Sequence, residues 1–253
     1  MLEQPEAAVV ADPVTHRLSE LAEPHVDLVR RLAAEAIGTA FLLVAVVGSG
    51  IMAARLTNDV GLQLLANAMA TAGALIGIIL MFITISGAHF NPAVTLVERF
   101  LGSITSRDAA LYVVAQIVGA AVGTILANAM FALPAVELST KIRSSGPLWL
   151  AEIIATIGLL LVIQGCVRTG RAAAMPYAVA TWIAAAYWFT SSTSFANPAV
   201  TMGRMLSESF SGIAPSSAPM FIAMQLVGTG LALGLVRLLY PHRAPTDPNS
   251  EDP

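Results

Sequence analysis

The sequence predicts an all-α membrane protein with six transmembrane helices and two re-entrant half-helices, arranged as an inverted repeat. Three observations carry this. First, the 253 residues are 56% hydrophobic and 11% charged, with mean hydropathy +0.75; a soluble domain carries about 25% charged residues. Second, six apolar stretches approach the roughly 20 helical residues that cross a bilayer. Third, Asn-Pro-Ala-Val-Thr occurs twice, at Asn91–Thr95 and at Asn197–Thr201.

The elements follow in order. An acidic, Pro-containing tail, residues 1–28, lacks the basic and apolar regions of a cleavable signal. A membrane domain covers 29–241, in halves of about 29–132 and 147–241, and a polar tail closes the chain at 242–253. Spans are expected at Leu32–Ala54, Gly61–Ile83, Ala109–Ala132, Leu148–Val167, Ala172–Phe189 and Ala218–Leu239. Small residues four apart, at Gly73/Gly77, Gly119/Gly123 and Gly230/Gly234, let helices approach closely in lipid. The segments Asn91–Gly102 and Asn197–Ser207 are too short to span. The formal net charge of −3, with no basic run, points to no nucleic-acid partner. The lone Cys166 leaves no intrachain disulfide. No residue cluster suggests a cofactor or a metal.

The halves match. AEAIGTAFLLV (Ala34–Val44) answers AEIIATIGLLLV (Ala151–Val162), and AQIVGAAVGT (Ala115–Thr124) answers MQLVGTGLAL (Met224–Leu233). Each half reads span, span, half-span, span. Three crossings is an odd number, so the halves enter the membrane in opposite senses. With both termini cytoplasmic, the inner side collects Arg17, Arg30, Arg31, Arg99, Arg107, Arg168, Arg171, Arg237 and Arg243, while the outer side keeps Arg55, Lys141, Arg143 and Arg204. That distribution follows the positive-inside rule.

Asn is a favoured N-cap and Pro a favoured first helical residue, so Asn91-Pro92 and Asn197-Pro198 each start a helix. Ten residues make about 15 Å of helix. Two such half-helices meeting at their N-termini form one span with a broken centre, tolerated only beside protein or a water-filled cavity. The preceding SGAH and SSTS segments are read as re-entrant strands lining that path. The N-terminal dipole ends disfavour cations at the midplane. A neutral solute accepts hydrogen bonds from the Asn amides. The acids Glu35 and Glu152 occupy matching places inside spans, where a carboxylate is expensive. Either they relay protons, as in a coupled secondary transporter, or they accept hydrogen bonds from a re-entrant loop; their repeat-symmetric placement favours the second. Gln116 and Gln225, also matched, are expected to help tie the loops down. No nucleophile and base stand at a sensible spacing, so an enzyme is not expected.

Over about residues 30–240 the chain resembles the aquaporin and aquaglyceroporin superfamily, the major intrinsic proteins, through its twin NPA boxes, AEAIGT, SGAHFNPAVTL and the third-span Gln. The resemblance implies one pore per subunit, a homotetramer in the inner membrane, and solute hydrogen-bonded by Asn91 and Asn197. It places His89 beside the first motif. Family members that select water or glycerol usually carry Arg directly after the second box; here that residue is Val200. Counting from the motifs puts the other constriction positions near Thr71, Ala185 and Ser194, none large or aromatic. The expected filter is wide and carries no fixed charge. Arg204, one turn further on, either points back to the mouth or pairs with a carboxylate or carbonyl outside the pore, the second being favoured. With Val200, the pattern looks like a bacterial branch associated with arsenic detoxification, which implies passive conduction of arsenite and methylarsenicals; a wide, uncharged filter also suits polyols and water. An ordinary glycerol or water channel is the alternative.

Overall fold

The computed structural model describes residues 26–240. The expected tails fall almost wholly outside that range. Within it the regular elements are helical, as the sequence predicts. α1 (Leu28–Leu56) and α2 (Val60–Ser86) start at Asp27 and Asp59, whose carboxylates accept from the backbone N–H groups of Arg30 and Leu62. α3 (Pro92–Leu101) and α4 (Ser106–Met130) follow, then α5 (Gly146–Arg168). A 3₁₀ turn at Ala172–Ala174 leads into α6 (Met175–Phe189), and α7 (Pro198–Arg204) and α8 (Ala218–Leu239) complete the order.

Among the described residues, five helices are long and apolar enough to cross a membrane. The sixth expected span, α6, is shorter: 15 residues, about 22 Å at 1.5 Å per residue. Pro176 fixes its start, which lies after the 3₁₀ turn rather than at Ala172. α7 is also short, at 7 residues against 10 for α3, because the backbone tightens after Arg204 with i→i+3 bonds from Met205 and Leu206.

Polarity is inverted relative to a soluble bundle. Phe41, Met69, Leu80, Leu126 and Leu231 are exposed, while Glu35, Gln116, Glu152 and Gln225 are fully buried. Of the expected close-approach glycines, only one pair works inside the chain. A Cβ on Gly119 or Gly123 would stand 2.2 Å from the carbonyl oxygen of Ala36 or Ala40, so these two glycines let α4 lie on α1. Gly228 performs the same task between α8 and α5, where a Cβ would meet the Ile153 carbonyl at 2.9 Å. Gly73, Gly77, Gly230 and Gly234 meet nothing within the chain.

Candidate functional site

The two half-helices meet tip to tip. Asn91 caps α3 with its Oδ1, accepting from Ala93 N–H at 2.9 Å, and donates Nδ2–H to the Ala196 carbonyl at 2.8 Å. Asn197 caps α7, accepting from Ala199 and Val200 at 3.0 and 3.2 Å, and donates to the Phe90 carbonyl at 2.8 Å. A carboxamide carries two N–H donors, so each Asn keeps one beyond this reciprocal pair. Both line one cavity of about 430 Å³.

The segments ahead of each Asn are not β-strands. Positive φ occurs at Gly87, Ala88 and Phe90, and again at Thr193, Ser194 and Ala196, at the spacing that separates Asn91 from Asn197. Left-handed backbone costs a non-Gly residue roughly 1–2 kcal/mol, so something must hold it. Glu35 accepts from Ser86 Oγ (2.6 Å), His89 N–H (2.9 Å), Phe90 N–H (2.7 Å) and Gln116 Nε2 (2.8 Å). Glu152 accepts from Phe195 N–H (3.0 Å), Ala196 N–H (2.9 Å) and Gln225 Nε2 (2.6 Å). The same two glutamines reach Thr95 and Thr201 Oγ1 on the half-helices at 2.9 and 3.0 Å. These contacts satisfy the buried acids through the loops, and no proton path is needed to account for them.

His89 lines the cavity; its Nδ1 lies 3.1 Å from Thr95 Oγ1 and its ring meets Tyr112 edge to face at 5.3 Å. The matching position in the second half is Phe195, which meets Phe221 at 5.1 Å. Glu98 and Arg204 are likewise matched, and both line the cavity. Glu98 accepts from Gln164 at 2.6 Å; its signal in the sequence is the Asn-to-Asn spacing itself, which carries Glu98 onto Arg204.

Thr71, Ser194, Val200 and Arg204 line the cavity; Ala185 does not. Ala185 is exposed on the outer face of α6, and Tyr187, two residues on, takes the inner place. Its hydroxyl lies 3.2 Å from Thr71 Oγ1. Counting back from Asn197 failed because residues 190–196 are irregular, with three positive φ angles. The cavity wall near the expected positions also holds an aromatic ring, Tyr187, and a cation, Arg204. Arg204 is 2% exposed, donates Nε–H to the Ser211 carbonyl, stacks 3.4 Å over the Phe195 ring, and still lines the cavity. Ser194 Oγ is buried there without a hydrogen-bond partner.

Comparison with known proteins places this geometry. The family model described as Major intrinsic protein matches residues 23–190. The chain is 50% identical to Aquaglyceroporin AqpS of Rhizobium meliloti (strain 1021) over 218 residues, covering 86% of this chain and 93% of that protein. It is 29% identical to Probable aquaporin AqpM of Archaeoglobus fulgidus over 84% of this chain and 97% of that one. In fold it resembles the aquaglyceroporin of Plasmodium falciparum, with TM-score 0.62 and 22% identity, covering 84% of this chain and 100% of the other.

Proposed function

Because the chain belongs to the major intrinsic protein family, we propose that it is a passive channel for small uncharged hydroxylated solutes, with arsenous acid the favoured substrate and glycerol-like polyols and water also carried. The observation that supports this most is the pair of Asn side chains, each with one amide N–H engaged across the half-helix junction and one left over at the cavity. A solute that presents hydroxyl oxygens accepts from both in passing. A cation meets the positive ends of the half-helices there. Ser194 Oγ, buried and unpartnered, supplies a further hydroxyl at the filter. Glu35 and Glu152 act as loop anchors, and His89 as a positioning residue.

Val200 supports a solute larger than water, since it contributes only a methyl-lined wall where water- and glycerol-selective family members usually carry Arg. Tyr187 and Arg204 support the second reading, an ordinary glycerol or water channel, because they restore a ring and a cation to the filter. Arsenite therefore rests on the sequence resemblance, and the uncharged-solute class on the geometry. We place both termini in the cytoplasm and the protein in the inner membrane as a homotetramer. The bare Gly73/Gly77 and Gly230/Gly234 faces suit contacts between subunits.

Stopped-flow or tracer measurements on proteoliposomes with water, glycerol and arsenous acid test this. All three are expected to equilibrate faster than in empty liposomes, with flux linear in concentration. Arsenous acid no faster than the empty control would remove the substrate assignment and leave the glycerol channel.

A further inference from the structure

The loop before α5 and the loop after α7 are stitched together by backbone bonds from Glu137 to Leu206, Ser139 to Met205 and Ala214 to Lys141. Three cations converge there on three successive carbonyls. Lys141 Nζ donates to Phe210 O at 2.7 Å, Arg204 Nε to Ser211 O, and Arg143 Nε to Gly212 O at 2.9 Å. Arg204 and Arg143 both stand over the Phe195 ring, at 3.4 and 5.2 Å, and Lys141 over Phe210 at 4.9 Å.

Staples between loops account for one donor on each side chain. They do not account for the charge. Lys has three donors and Arg five, and carbonyl dipoles and ring faces soften a cation without neutralising it. Arg143 and Arg204 are 9% and 2% exposed. Among the described residues no carboxylate pairs with any of the three. A buried charge normally has a partner. Ser194, next in the chain to the Phe195 ring over which both arginines stand, has an Oγ that is buried, unpartnered and on a residue lining the cavity.

We infer that this end of the cavity binds a small oxyanion or carboxylate, held by Arg204 and Ser194 with Arg143 and Lys141 adding positive field, and that a bound anion obstructs the filter. The anion stops there because the next wall is apolar, formed by Leu75, Ile79, Val179 and Ile183, and offers nothing in place of its hydration shell. The binding stands on geometry alone; the obstruction rests on the channel reading.

Protonation tunes the site. Burial, and then the charges of Arg143 and Arg204, hold the Lys141 ammonium down at about 8, with Glu208 acting the other way. Burial also lowers Arg143, to about 10, against Glu152 and Tyr187. One cation is thus lost as pH rises through about 8, and anion binding weakens with it.

The probe is sulfate, compared with chloride at equal ionic strength. Full-length protein in detergent is expected to show a sulfate-specific rise in thermal midpoint at pH 7, since a ligand that binds only the folded state stabilises it. Lys141→Gln is expected to need about tenfold more sulfate for the same rise, equivalent to about 1.4 kcal/mol. In proteoliposomes sulfate is expected to slow glycerol flux at pH 7 and much less at pH 9. No sulfate-specific rise, or a rise unchanged by Lys141→Gln, overturns the site. A chain that conducts no glycerol while its midpoint still responds to sulfate keeps the site and sinks the channel.

Discussion

Asn91 and Asn197 each divide one carboxamide three ways: the oxygen caps its own half-helix, one N–H ties the opposite half, and one N–H is left. Their capping role was legible in Asn-Pro, whose preferences are local. The cross-bond was not, because it joins residues 105 apart or more. Glu152 carries a similar load. Glu152→Ala leaves three buried donors unpaired, each costing about 1–3 kcal/mol, so a thermal midpoint well below that of the parent is expected, with little protein recovered folded. Val200→Arg would set a second guanidinium within one helical turn of Arg204. Glycerol and arsenous acid flux are expected to fall at least about tenfold, equivalent to about 1.4 kcal/mol of barrier, with water spared. Equal loss of all three would mean that Val200 does not line the constriction. Tyr187→Ala removes the ring that bonds Thr71, and passage of polyols longer than glycerol is expected to rise in the same assay. Ala185→Leu, on the exposed face, is expected to leave selectivity unchanged.

At the scale of elements, helix existence was legible from hydropathy, and helix contacts were not. Three glycine pairs share one spacing, yet only Gly119/Gly123 faces another backbone within the chain. Spacing identifies a face; which neighbour it meets depends on how the bundle closes. The contrast gives a paired expectation. Gly123→Val drives side-chain atoms into the Ala40 carbonyl, where even a Cβ would sit at 2.2 Å, and is expected to lower the midpoint sharply or abolish folding. Gly77→Val meets no atom of its own chain and is expected to leave the midpoint of the isolated subunit within about 1 kcal/mol of the parent, the scale of a β-branched residue's helix propensity. Any larger loss, seen together with a smaller particle by size-exclusion light scattering, would mark that face as a subunit contact. α7 ended early for a tertiary reason too: beyond Arg204 the chain turns back so that Ser211 meets the Arg204 side chain.

For the whole molecule, the inverted repeat sets both symmetry and its breaking. Glu35 and Glu152, Gln116 and Gln225, and Thr95 and Thr201 repeat the same hydrogen bonds in both halves. Both acids are thereby committed to loops, so uptake is expected to be indifferent to an imposed pH gradient; accumulation of solute against its gradient would revive a coupled transporter. Symmetry breaks at two matched positions that line the cavity, where Glu98 in the first half answers Arg204 in the second and His89 answers Phe195. The sequence by itself determined the membrane class, the six spans with two half-spans, the inverted order and the capped Asn-Pro starts, because hydropathy, chain parity and capping are properties of neighbouring residues. Only the tertiary structure decided which side chains line the cavity. Tyr187 lines it where Ala185 was expected, and Arg204 lines it one turn from Val200. Those outcomes depend on irregular backbone held by distant carboxylates, and no periodicity in the chain encodes where such a segment aims its neighbours.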